Sequence, residues 1–230
     1  PSLDSLAWDP QAAYSYYCSN NTIFGTRWPA TPTTPTPLIS DMSSEMYARP
    51  IDWASHDMVY AGAQKNLGPA GVAVVIIRKS LLEKASTDNP SMFRYDIHAD
   101  KGSMYNTPPV FAVYFVGKIF EWIKSQGGLT SMEQMNDRKA SHIYDAIDGS
   151  GGFFTGHSRL EDRSTMNITF RCPSEALEAT FIEEAAKQDM VNLKGHRSVG
   201  GLRASTYNAF PESGCVKLAE FMNEFARTHG

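Results

Sequence analysis

The chain has 230 residues, enough for one or two domains with a substantial hydrophobic core, and its apolar and charged contents are ordinary. Its formal net charge of -4 argues against general nucleic-acid binding, which needs a basic face, and leaves room for a small anion held by a local cluster of cations. Three widely separated cysteines (Cys18, Cys172 and Cys215) without a CxxC, and no apolar run of spanning length, exclude a disulfide framework, a zinc site and a transmembrane helix, and fit a reducing cytoplasmic compartment.

The opening "PSLDSLAWDP" carries neither an initiator Met nor a basic-then-apolar leader, so no signal peptide is expected and the chain reads as the back part of a longer protein. Tyr14–Cys18 reads as a strand, followed by a polar turn around Thr22. The Pro/Thr-rich stretch Trp28–Pro37 must be a loop, because proline removes donors and fixes φ. "LIS" is a short apolar run ending in Asp41. "DMVYAGA" and the β-branched run Gly71–Arg78 are stronger strands, and unbroken apolar strands predict a sheet covered on both faces, as in parallel α/β architecture. "SLLEKA" reads as a short helix or turn. After "DKGSMYNTPP", "VFAVYFVGKIFEWIKSQ" predicts a long helix stopped by Gly127 and Gly128, buried on most sides within a domain or at a subunit interface.

The texture changes near residue 128, where a domain boundary is expected. "LTSMEQMNDRKASHIYDAID" is an amphipathic helix. In "TMNITFRC", Met166, Ile168, Phe170 and Cys172 alternate with Thr165, Asn167, Thr169 and Arg171, which predicts a half-exposed strand. Ser174 is placed to cap a helix over "EALEATFIEEAAKQDM". "GGLRASTYNA" reads as a strand, and "VKLAEFMNEFART" as a final helix with Leu218, Phe221, Met222 and Phe225 on one stripe. Helices on one side of a partly exposed sheet make residues 129–230 a small α+β domain. His142 and His229 read as surface or helix-end residues.

Four places carry candidate chemistry. Most lysines past a strand are simply solvated. Lys65 differs: it follows a buried-type strand, precedes another, and sits among Gly62, Ala63, Gly68, Ala70 and Gly71, which leave room for a ligand. A lysine in a tight pocket can form a Schiff base with a carbonyl. Asp41 alone is an ordinary loop or capping aspartate, but a carboxylate at a strand end beside a pyridine ring keeps the ring nitrogen protonated and makes the ring an electron sink. Lys194, His196, Arg197 and Arg203 gather around Gly195, Gly200 and Gly201. A helix C-terminus would account for Lys194 and His196 but poorly for Arg203, and an arginine fork fits carboxylate or phosphate. "NTPP", Asn106–Pro109, predicts an N-cap with prolines in the first helical turn, a position compatible with phosphate binding. There is no P-loop, HExxH, GxSxG or GxGxxG, and no metal site is expected.

Taken together, "YCSNNTIFG", "ISDMSS", "GAQKNLGPAG", "GSMYNTPP" and "KGHRSVGGLRASTYNA" resemble the phosphoserine aminotransferases, class-V enzymes of fold-type I that use pyridoxal 5'-phosphate (PLP). The order and spacing fit over essentially the whole chain. The resemblance implies that residues 1–128 are the C-terminal part of a mainly parallel PLP-binding large domain, and 129–230 the small domain. It implies that Lys65 joins the cofactor and shuttles the proton, with Asp41 at the pyridinium nitrogen, Thr22 at the phenolic oxygen and Gln64 at the phosphate. Asn106 and Thr107 would reach the phosphate in the neighbouring subunit of a homodimer. His196 and Arg203 would bind substrate phosphate or carboxylate, with Arg197 as the main carboxylate clamp. The implied reaction moves an amino group from glutamate to 3-phosphohydroxypyruvate, giving 2-oxoglutarate and phosphoserine, for serine and, in bacteria, pyridoxine synthesis. Members carry a longer N-terminal region with a ring-stacking aromatic, a phosphate-binding turn and further arginines. An incomplete cofactor pocket and an uncovered sheet edge are therefore expected for these residues alone. The alternatives are a serine–pyruvate or alanine–glyoxylate type of class-V aminotransferase, and a non-catalytic α/β module that binds a phosphate-bearing ligand.

Overall fold

The computed structural model describes residues 3–230. In chain order the elements are β1 (Ser15–Cys18), β2 (Asn20–Asn21), β3 (Thr26–Arg27), β4 (Leu38–Asp41), β5 (Met58–Gly62), β6 (Ala73–Ile77), α1 (Lys79–Leu82), α2 (Tyr95–Asp100), α3 (Val110–Ser125), α4 (Gly128–Asp148), β7 (Thr155–Gly156), β8 (Asn167–Arg171), α5 (Glu175–Ala186), β9 (Leu202–Ser205) and α6 (Glu212–His229). The chain divides into two units. The first comprises the stretch ending at Ser19, Ala30–Met46 and Ile51–Ser125; the second comprises Asn20–Pro29, Tyr47–Pro50 and Gln126–Gly230. Among the described residues no helix is long and apolar enough to cross a membrane.

The first unit is built on a sheet of order β1-β4-β5-β6. β1, β4 and β5 are parallel, with Cys18 opposite Asp41 and Asp41 opposite Tyr60. Alternate residues of these strands, such as Tyr17, Leu38, Val59 and Ala61, are buried. The run containing β6 departs from expectation. It pairs antiparallel with β5 at the end of the strand order, and Ala73 and Ile76 are exposed. Only residues 63–72 join the two strands, enough for an antiparallel return but short of the dozen or so residues a parallel crossover needs. In α3, Ala112, Val116 and Ile123 are buried within the chain, while Val110, Phe111, Val113, Tyr114 and Phe115 are exposed, which leaves the subunit-interface form of the expectation rather than burial inside the domain.

The second unit has an antiparallel sheet, β7-β8-β9, and the helices α4, α5 and α6. Its core is aromatic. Phe154, Phe170, Phe181, Phe221 and Phe225 form one cluster, with several ring pairs edge-to-face. Ser174 caps α5 by accepting from the Leu177 N–H. The stripe Leu218, Phe221, Met222 and Phe225 of α6 is buried as its spacing requires.

β8 keeps its alternation on the core side, but its other face is half covered. Asn167 is fully buried, accepting from Asn20 Nδ2 (2.9 Å) and donating to Ser205 Oγ and Tyr207 Oη (3.1 Å each). The cover is the β2–β3 hairpin, which belongs to this unit although it precedes β4 in sequence. Gly25 makes the contact possible. Its φ is +67°, and a Cβ there would lie 2.7 Å from the Asn167 carbonyl oxygen.

Candidate active site

β4 and β5 end side by side, and in an open α/β sheet ligands bind beyond the carboxyl ends of parallel strands. Asp41 is the last residue of β4. The Ser43 N–H donates to Asp41 Oδ1 at 2.8 Å, and Ser43 Oγ accepts from the Gly62 N–H at 3.0 Å. Ser43 thus ties the end of β4 to the end of β5. Tyr60 stands opposite Asp41, and its hydroxyl is 3.2 Å from that of Tyr16. Burial pushes the Tyr60 pKa upward, and Tyr16 and Asp41 beside it push it further, so the phenol keeps its proton. Sequence reading missed this pair of tyrosines, because only the strand register brings Tyr60 to Asp41.

Lys65 lies in the tight turn after β5. The Leu67 and Gly68 N–H groups both donate to the Ala63 carbonyl, at 3.1 and 2.8 Å, and the Ala63 N–H donates to the Val72 carbonyl at 2.9 Å. Ala63, Asn66 and Leu67 are buried, Lys65 is half-buried and Gln64 is exposed. The Gln64 side chain folds back over Gly62, where an added Cβ would lie 2.6 Å from its Oε1. α3 supports the turn, since Val116 Cγ2 would be 3.3 Å from a Cβ at Gly68. Lys65 thus lies on the hydrogen-bonded turn that follows β5, and Asp41 at the end of the adjacent strand β4.

Asn106 and Thr107 are exposed on the loop before α3. Asn106 does not cap the helix: its Nδ2 donates to the Thr107 carbonyl at 3.1 Å, and the helix starts after both prolines, at Val110. Proline at 108 and 109 restricts the residue before each to extended backbone, which delays the first turn.

The remaining candidates belong to the second unit. Thr22 is half-buried in the β2–β3 turn, which Asn21 organises by accepting from the Ile23 and Phe24 N–H groups. Lys194 and His196 do not sit at a helix C-terminus. α5 ends at Ala186, and Lys194 forms a bridge with Leu202 instead. His196–Gly200 is a tight turn in which the Val199 and Gly200 N–H groups donate to the His196 carbonyl. Gly201, at φ +70°, closes its base, and a Cβ there would lie 3.0 Å from the Phe170 carbonyl. The Ser198 N–H donates to His196 Nδ1 at 3.2 Å, and Ser198 Oγ lies 2.6 Å from the same nitrogen, so Ser198 holds the ring from its Nδ1 side. Arg197 is exposed.

Arg203 lies on β9 opposite Thr169, on the face away from the core. Its Nε is buried with no hydrogen-bond partner, and its guanidinium forms no ion pair among the described residues. Two cavities of about 450 and 440 Å³ in this unit are lined by none of the predicted site residues.

The curated phosphoserine aminotransferase of Lysinibacillus sphaericus is 52% identical over 230 residues, all of this chain and 64% of the relative. A solved phosphoserine aminotransferase from Bacillus circulans subsp. alkalophilus is 49% identical with a TM-score of 0.97, covering 100% of this chain and 64% of that one. The PLP-bound phosphoserine aminotransferase of Trichomonas vaginalis is 42% identical with a TM-score of 0.92, over 96% of this chain and 63% of that one. The chain therefore spans about 64% of the length of curated relatives it matches. The model of the family described as aminotransferase class-V matches residues 3–217, nearly the whole length, and the chain belongs to that family.

Proposed function

We propose that this chain is the greater part of a PLP-dependent phosphoserine aminotransferase. The observation that carries the substrate reading is the buried Nε of Arg203, which has no hydrogen-bond partner, on the strand that follows the His196–Gly200 turn. Leaving a buried donor unsatisfied costs about 1–3 kcal/mol, and an anionic ligand removes that cost when it binds. Substrates that carry two anionic groups match a site with two arginines and a histidine.

The residues fit the cofactor. Asp41, held by Ser43, would supply the carboxylate for the ring nitrogen, and Tyr60 stands opposite it on β5 with a hydroxyl that keeps its proton. Lys65 supplies the amine, Thr22 a hydroxyl for the phenolic oxygen, and Gln64 a donor for the phosphate. Asn106 and Thr107 are assigned to the phosphate of a second copy's site. When bound, PLP provides the electron sink that stabilises negative charge at the substrate α-carbon. Lys65 would hold that group, and its amine would serve as the base that moves the proton at the substrate α-carbon. Arg203 and Arg197 are assigned to the anionic ends of the substrate, which they would orient. The amino group passes from glutamate to 3-phosphohydroxypyruvate. On this reading residues to about 128 hold the cofactor, and 129–230 form the small domain that carries the substrate clamp.

The exposed apolar residues of α3 are the surface a second copy would cover in a homodimer. The three free cysteines suit a cytoplasmic location.

Reconstitution of the full-length parent protein with PLP tests the reading. We expect a visible absorption band that Lys65→Ala abolishes, and faster turnover with 3-phosphohydroxypyruvate than with pyruvate. Equal rates with the two keto acids would sink the substrate assignment, and a colourless wild-type protein would sink the enzyme assignment.

A further inference from the structure

Lys139 is fully buried near the middle of α4. A charge taken out of water is costly unless something inside replaces the solvent. Among the described residues no carboxylate bonds its Nζ. Four main-chain carbonyls do: Thr206 at 3.0 Å, Tyr207 at 2.8 Å, Asn208 at 3.2 Å and Phe210 at 3.3 Å. All four come from the single turn that joins β9 to α6. An ammonium has three hydrogens, so four convergent oxygens cannot each receive a separate bond. This is how carbonyl dipoles surround a point charge, as they do around a monovalent metal ion.

The surroundings agree. Cys215 and Glu212 of α6 face Lys139; burial raises the Cys215 thiol to about 11, so it is neutral. Burial lowers Lys139 to about 8, which leaves it charged at neutral pH. One helical turn earlier, Asn136 donates to Asn208 Oδ1 at 2.9 Å and to the Ala48 carbonyl at 3.0 Å, fixing the same turn from a second point.

We propose that the 206–210 turn is a monovalent-cation cage whose cation is built into the chain as the Lys139 ammonium, and that this charge sets the path of the backbone leaving Arg203. The inference does not depend on what Arg203 binds.

The test compares Lys139→Ala, which empties the cage, with Lys139→Met, which fills it with an uncharged chain of similar length. Thermal unfolding of the full 230-residue chain is followed in potassium, ammonium or methylammonium chloride, against N-methylglucamine chloride at equal ionic strength. Wild type should ignore the choice of cation. Lys139→Ala should lose roughly 10 °C in Tm in the glucamine salt and recover at least half of it with a small cation. Lys139→Met should lose a similar amount and recover nothing. Hydrogen exchange over residues 202–210 should quicken in both variants and slow again only in Lys139→Ala with a small cation. If Lys139→Ala does not fold in the glucamine salt, its refolding yield in potassium or ammonium is read instead, with the same expectation. Indifference of Lys139→Ala to cation identity, or a Lys139→Met protein as stable as wild type, overturns the proposal.

Discussion

Arg203 and Arg163 show how one residue type takes two roles according to what faces it. Arg163 is neutralised within the chain. Its two terminal nitrogens grip Asp148 at 2.6 Å each, and its guanidinium lies 4.3 Å from the centre of the Tyr144 ring. Arg203 forms no ion pair among the described residues, although the Nε of each arginine is buried without a hydrogen-bond partner, and on the proposed function the difference in ion pairing sets the two apart. The Arg163 hydrogen bonds hold the Asp148 carboxyl below its ordinary range. A lowered carboxyl pKa stabilises the fold above the unfolded value, and the contribution disappears as pH falls through the folded value. Asp148→Asn should therefore reduce stability by less than about 1 kcal/mol at pH 7, because the pair is partly solvated. Chemical denaturation at pH 7 and again below the ordinary carboxylate range checks this: the gap between wild type and variant should close in acid.

At the scale of elements, the turn bearing His196 and Arg197 is held by β8. Arg171 Nη1 donates to the Val199 carbonyl at 3.1 Å, and Arg171 Nε donates to Glu178 Oε1 of α5 at 2.5 Å. Glu178 is buried, so removing its partner strands a carboxylate. Arg171→Ala is expected to raise hydrogen exchange at Val199–Gly201 by about tenfold, roughly the worth of one charge-assisted bond, and to leave α4 unchanged. Exchange at Val199–Gly201 equal to wild type would refute the clamp. The elements themselves were largely legible in the sequence. Ser174 marks a helix start, the Gly127–Gly128 pair marks a stop, and the Leu218–Phe225 stripe marks a buried face, because each is a local signal. Strand partners were not legible. Alternation tells which residues share a face but not which strand lies alongside, so the Tyr60–Asp41 register, the antiparallel β6 and the cover over Asn167 emerge only from long-range pairing. Lys139 was hidden for the same reason, since a lysine in an amphipathic helix is ordinarily assigned to the solvated face.

For the whole molecule, the important fact is that the second unit is not one continuous stretch. Asn20–Pro29 and Tyr47–Pro50 belong with Gln126–Gly230. Ser164 Oγ donates to Asn20 Oδ1 at 2.5 Å, and Asn208 Nδ2 donates to the Tyr47 carbonyl at 2.9 Å. A fragment of residues 126–230 alone would leave Asn167, Ser164, Asn136 and Asn208 with unsatisfied polar groups, each costing about 1–3 kcal/mol. We expect its urea midpoint to fall well below that of the same unit in the full chain, followed by tryptophan-independent far-UV circular dichroism. An equal midpoint would show that the two inserted segments contribute nothing.

The hairpin over Asn167 also bears on how the protein is made. Asn20–Pro29 leaves the ribosome long before β8, so through much of synthesis it has no surface to close upon. Final consolidation of the second unit must wait for the last hundred or so residues, and a nascent chain stalled before them is the form that chaperones are expected to hold.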